Sequence, residues 1–168
     1  MAPFTLWGHV NVDRIEAKLE GLNWDAYDFR QRTFGVHSQT KTVPLLWNEV
    51  PNHEVQTKHP DYERFESDLF EIQAKLPPGR IQTAILIKLP AGSHIPTHRD
   101  AAPHFRLYHR IHVPIVTNPK CLFTVGEDTR HLKRGDLWEI DNDHLPHSVH
   151  NGGSADRVHL LIDYFKFK

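Results

Sequence analysis

The chain has 168 residues, 20 Lys+Arg against 21 Asp+Glu, a formal net charge of -1 and 14 histidines. Such a length predicts one domain that folds without a disulfide or structural metal, so any bound metal would serve function. The even charge leaves no footprint for nucleic acid or an anionic membrane, and no apolar run is long enough to span a bilayer.

The opening Met1 to Trp7 has no basic region and no long apolar stretch, so no signal peptide is expected. The single Cys121 cannot form an intrachain disulfide and fits a reducing, cytoplasmic setting. Residues 11–22 predict a helix. Asn11 or Asp13 can cap it, and Ile15, Leu19 and Leu22 recur at helical spacing. Residues 60–76 predict a clearer one. Pro60 opens it, Tyr62, Phe65, Leu69, Ile72 and Leu76 form one apolar stripe, and Pro77-Pro78-Gly79 ends it.

From Ile81 the period becomes two. Ile81, Thr83, Ile85, Ile87 and Leu89 alternate with Gln82, Ala84, Leu86 and Lys88. Further strands are expected at 110–116, 122–125, 130–132, 137–140, 148–151 and 158–165, separated by Gly- and Asp-rich turns. Many short strands with helices gathered at the front predict a mainly β fold. The expected form is a cupin-like jelly roll (double-stranded β-helix) with supporting N-terminal α-helices. In this reading one domain covers 1–168, with helical support over about 11–76 and the core over about 81–165.

The chemistry centres on His98-Arg99-Asp100 and the distant His147. On an extended strand, residues i and i+2 share a face, so His98 and Asp100 can grip one ion together. A second imidazole completes two histidines and one carboxylate. That set holds one face of an octahedral iron(II) and leaves positions open, whereas zinc more often takes three histidines or cysteines. His-Arg-Asp also resembles a kinase catalytic loop, but Phe105 stands where that loop needs Asn, and no Asp-Phe-Gly or Gly-rich loop is present. Downstream, Arg110 and His112 fall on the strand face opposite Ile111, Val113 and Ile115. Arg157 opens the last strand, and a guanidinium is suited to a carboxylate.

The stretch from Gly92 to Asp163 resembles the aspartyl/asparaginyl β-hydroxylase family of iron(II)/2-oxoglutarate oxygenases, which includes bacterial cis-proline hydroxylases. The resemblance is carried by His98-Arg99-Asp100, Arg110-Ile111-His112, Gly135-Asp136-Leu137-Trp138, His147-Ser148-Val149 and Arg157-Val158-His159-Leu160. Trp7 to Asp13 is similar, more weakly, to the opening strand and helix of the proline hydroxylases. The resemblance implies His98, Asp100 and His147 as iron ligands and Arg157 as the anchor for the distal carboxylate of 2-oxoglutarate. It places Arg110 and His112 near the chelating end. It also implies oxygen as co-substrate and hydroxylation of an amino acid, free or within a peptide. The animal peptide-modifying members lack the aspartate that Asp100 provides here.

The residues alone leave two other readings: a cupin-like metalloenzyme that does not use 2-oxoglutarate, and a non-catalytic β-sandwich binding module. Trp138 and Cys121 read as core residues, and His144, His150 and His159 as structural, solvated or supporting the ligands. His94, His104, Arg106, Tyr108 and His109 flank the His-x-Asp in a loop placed to cover a site. Oligomeric state is left open.

Overall fold

The computed structural model describes residues 2–48, 56–100 and 106–167. In chain order the elements are β1 (Phe4–His9), α1 (Asp13–Ala17), α2 (Phe29–Thr33), a 3-10 turn (Gly35–His37), β2 (Lys41–Asn48), β3 (Gln56–Lys58) and α3 (Tyr62–Gln73). They continue with β4 (Gly79–Leu89), β5 (His94–His98), β6 (His109–Val116), β7 (Cys121–Val125), β8 (Asp128–Arg130), β9 (Asp136–Ile140), β10 (His147–Asn151) and β11 (Arg157–Lys166).

The strands form two antiparallel sheets. A seven-stranded sheet runs β1-β9-β6-β11-β4-β2-β3, and a four-stranded sheet runs β5-β10-β7-β8. This is the jelly roll that the period-two pattern predicts. The alternation sorts the large sheet's side chains. Leu86, Ile111, Val113, Leu160 and Ile162 pack outward with Ile15 of α1 and Phe65, Leu69 and Ile72 of α3. The α3 stripe is thus a helix packed on a sheet, as its spacing requires. The inner face meets the small sheet, where Ile95, Phe123, Val125 and Val149 cluster with Phe4 and Leu89.

Two expectations need correction. The stretch 11–76 is not helical throughout, because β2 and β3 lie inside it and extend the large sheet beyond β4. Pro44 hides β2 in the sequence, since proline in a run argues against a strand except at edges and bulges. Here a bulge follows it, and β3 pairs only from Leu46 onward, so the flank of β2 beside Pro44 is not paired by β3. The first helix is also shorter than 11–22. Its α-helical part ends at Ala17, and Gly21 takes φ +79°. Leu22 still reaches the core, with Leu19 packed against it, through turns rather than helix. Asn11 Oδ1 accepts the Asp13 N–H at 2.8 Å, so it serves the helix start although Val12 is the cap position.

Candidate metal centre

His98 ends β5, and His147 begins β10 directly opposite it in the antiparallel register. Asp100 follows two residues past His98, tied to the chain by its N–H donating to the Asn142 carbonyl at 3.1 Å. The structure therefore brings the three residues together, with one ligand atom from each within 4.8 Å of the others. Asp100 Oδ1 lies 3.8 Å from His98 Nε2, and Oδ2 lies 3.8 Å from His147 Nε2. His98 Nδ1 is 2.8 Å from the Pro96 carbonyl. A carbonyl only accepts, so Nδ1 carries the proton and Nε2 offers its lone pair to the cluster.

Asp100 is also held from behind. Its Oδ2 accepts from Arg110 Nη1 and from Asn142 Nδ2. Burial alone would raise its pKa. Arg110 opposes this, then His147, Asn142 and His98, and together they hold the carboxyl well below its usual range. Arg110 itself pairs bidentately with Asp163, Nε to Oδ1 at 2.8 Å and Nη2 to Oδ2 at 2.9 Å. Desolvation would lower its pKa, but the two carboxylates more than offset it and keep the group charged. Burial pushes His147 down to about 4. The pair Asp100 and His147 thus sits in its ligating protonation state at neutral pH.

Behind the cluster, β11 turns Arg157 and His159 inward beside His112 of β6. Arg157 is 1% exposed. Its Nη2 lies 2.5 Å from His159 Nδ1, and its Nε has no hydrogen-bond partner. Desolvation lowers its pKa to about 10, so it is still a cation at neutral pH. His112 Nδ1 and His159 Nε2 are buried and unpartnered as well. Buried polar atoms without partners are uncommon in folded proteins, and a bound polar ligand is one way to satisfy three that lie together. The space at the triad is about 30 Å³, so a five-carbon dicarboxylate enters only as the lining side chains move apart. The donor set fits iron(II), and the Arg157 guanidinium, with its Nε unpartnered, fits a carboxylate.

Burial, reinforced by Arg157, holds His112 and His159 neutral, well below the ordinary pKa of 6.5. In the unfolded chain both titrate near 6.5. Below that pH the unfolded state takes up protons that the folded state refuses, so stability falls as pH falls. Each histidine costs about 1.4 kcal/mol per pH unit, about 3 for the pair. Urea midpoints of the iron-free protein should drop steadily from pH 6.5 to 5. A flat profile over that range would refute the buried neutral pair.

Sequence reasoning missed two residues. Arg30 of α2 and His37 of the 3-10 turn line the same pocket as His98, His147 and Arg157. Arg30 Nη2 donates to His37 Nε2 at 3.0 Å, and the His37 ring stands edge-on to His98 with centroids 5.4 Å apart. Burial, then Arg30, pushes His37 down to about 3, so it stays a neutral acceptor. A helix of five residues shows no stripe, and no motif surrounds either residue. Other residues stand elsewhere. Trp138 packs on Phe4, His144 pairs with Asp141, His109 with Glu139, and exposed Arg106 with Asp143. His94 and His150 are exposed, Tyr108 and Cys121 are buried, and His104 lies outside the described residues.

Fold and cluster together define a jelly roll with two histidines and a carboxylate converging between its sheets. The family model for aspartyl/asparaginyl β-hydroxylase matches residues 10–166. The chain is 28% identical over 79 residues to L-proline cis-4-hydroxylase of Rhizobium meliloti (strain 1021), covering 47% of this chain. The matched stretch spans 28% of that relative's length. HygX from Streptomyces hygroscopicus, crystallised with nickel, 2-oxoglutarate and hygromycin B, aligns with a TM-score of 0.63 at 13% identity, over 98% of this chain and 83% of that one. A Pseudomonas putida prolyl-4-hydroxylase aligns at 0.58 and 9% identity, over 99% and 94%. These structural likenesses establish the fold. The chain belongs to the aspartyl/asparaginyl β-hydroxylase family. That family is one of iron(II)- and 2-oxoglutarate-dependent oxygenases, and the donor set of His98, Asp100 and His147 fits such a metal. Among the described residues, no helix is long and apolar enough to cross a membrane.

Proposed function

We propose that this chain, acting as a single domain in the cytoplasm, hydroxylates an unactivated C–H bond of an amino acid, either free and proline-like or a peptidyl Asp or Asn. The observation that carries the reading is the His98, Asp100 and His147 cluster beside a buried Arg157 that has no carboxylate partner among the described residues and no partner at Nε. A cupin-like metalloenzyme without 2-oxoglutarate gives no reason to bury that guanidinium next to a metal site.

In this reading His98, Asp100 and His147 hold iron(II), which supplies the oxidative chemistry once 2-oxoglutarate and oxygen are bound. Arg157 pairs with the distal carboxylate of 2-oxoglutarate, and His159 fixes the guanidinium's orientation. Arg110 does not need to touch the co-substrate. Its fork locks the Asp100 carboxylate in place and is itself locked by Asp163. His112, buried with a free Nδ1, can donate or accept toward the chelating end. Phe123, Ile87, Ile95 and Val149 line the same pocket and keep water out. Cys121, buried and unpaired, suits a reducing compartment.

The test is succinate release from 2-oxoglutarate by the iron-loaded protein, with and without amino acids and short peptides. Iron-dependent succinate, stimulated by one panel member, is the expected result. No succinate from protein shown to hold iron would overturn the reading.

A further inference from the structure

Three guanidinium groups line the pocket at the triad: Arg30, Arg110 and Arg157. Arg110 is paired with Asp100 and Asp163. Arg157 is assigned above to the co-substrate. Arg30 has no such assignment. Its Nη2 donates to the neutral His37, its Nη1 is buried with no partner, and no carboxylate among the described residues pairs with it.

The charges lead to the same group. Arg30 and Arg110 feel the carboxylates Asp100 and Asp163, and Arg157 has neither beside it, so this part of the molecule carries three guanidiniums against two carboxylates. Iron(II) and the 2-oxoglutarate dianion cancel each other when both are bound. One positive charge remains in a desolvated pocket, where an uncompensated charge is strongly unfavourable. A ligand bearing one negative charge removes it.

Arg30 also forms part of the wall of a second cavity, about 580 Å³, between α2 and the inner face of β2 and β4. Tyr27, Pro44, Trp47 and Ile85 make that cavity largely apolar and aromatic. Thr42, 3% exposed, lines it with its Oγ1 unpartnered. The exposed Asp28 and Arg32 pair with each other at 2.8 Å. The volume is typical of a small-molecule site and more than one five-membered ring fills.

We propose that Arg30 binds the carboxylate of the substrate that is hydroxylated, whose apolar body lies in this second cavity, so that the substrate is a free carboxylic acid bulkier than proline. This takes the free-acid arm of the hydroxylase reading, with a body larger than that of proline, and rests on that reading. Arg30 lines both spaces, so an acid held there has its body beside Trp47 and offers the triad the C–H bonds next to its carboxylate. Thr42 is placed to hydrogen-bond a polar group on that body.

The test titrates proline, leucine, phenylalanine and tryptophan, each with its carboxamide, and a capped Gly-Asp-Gly peptide. Calorimetry is run on metal-free protein and on anaerobic protein loaded with iron(II) and 2-oxoglutarate. A large acid should bind on the order of a hundredfold more tightly than its amide, and Arg30→Met should erase that preference in protein kept saturated with 2-oxoglutarate. Arg30→Lys should keep only part of it, since an ammonium lacks the planar fork. The wild-type ratio of acid to amide stands even if a variant misfolds. Amides binding as well as acids, no acid binding, proline binding best, or the peptide alone binding would each overturn the proposal. If wild-type protein fails to bind 2-oxoglutarate, the hydroxylase reading itself falls. If it binds 2-oxoglutarate but shows no acid preference, only the role of Arg30 falls.

Discussion

Asp100→Ala should cut iron occupancy and turnover together, with turnover down by at least about 100-fold. Loss of supporting contacts around a metal ligand already costs about 10- to 100-fold, and a ligand deletion should exceed that. The carboxylate is the only anionic member of the cluster, and its oxygens lie 3.8 Å from each imidazole nitrogen. Without it two neutral imidazoles remain, and the nearby Arg110 repels a dication. The fold should survive, because Arg110 keeps its bidentate pairing with Asp163. Anaerobic iron stoichiometry and succinate release measure the two losses, and circular dichroism checks the fold. An Asp100→Ala protein with one iron per chain and full turnover would remove the triad from consideration.

Arg157→Met should weaken 2-oxoglutarate about 100-fold, leave iron binding nearly intact, and leave the protein equally or more stable. That combination separates a ligand-binding arginine from a structural one. A structural arginine stabilises through its partners, so its loss destabilises. Arg157 has no carboxylate partner among the described residues, is 1% exposed, and leaves Nε unpaired. Removing an uncompensated buried cation relieves a desolvation cost of several kcal/mol. Losing one member of a desolvated charge pair with the ligand costs about 2–5 kcal/mol of binding, which spans the expected factor. The split is read from the KM for 2-oxoglutarate, the iron stoichiometry and the urea midpoint. A variant that is markedly less stable yet keeps its KM would assign Arg157 to the fold.

Much of this molecule is written locally. The period-two runs around Ile85, Ile111 and Leu160 become β4, β6 and β11, because an alternating side chain must face either the helices or the opposite sheet. The α3 stripe becomes a packed helix for the same reason at a different period. The order His98, Asp100, Arg110, His147, Arg157 is likewise visible, because iron needs particular donor types and a carboxylate needs a guanidinium. Those statements concern residue type and spacing, which a sequence contains.

What only the tertiary structure decided are the encounters between distant segments. The pairing of β5 with β10 brings His98 opposite His147. Arg110 meets Asp163 because β6 lies beside β11, and it also reaches Asp100 two residues past the end of β5, so carboxylates take up both arms of its fork. Arg30 reaches the pocket from a five-residue helix that no periodicity announces, and β2 survives its proline because a bulge follows. None of these has a local signature. Each follows from which surfaces must be buried together, and burial is a property of the whole chain.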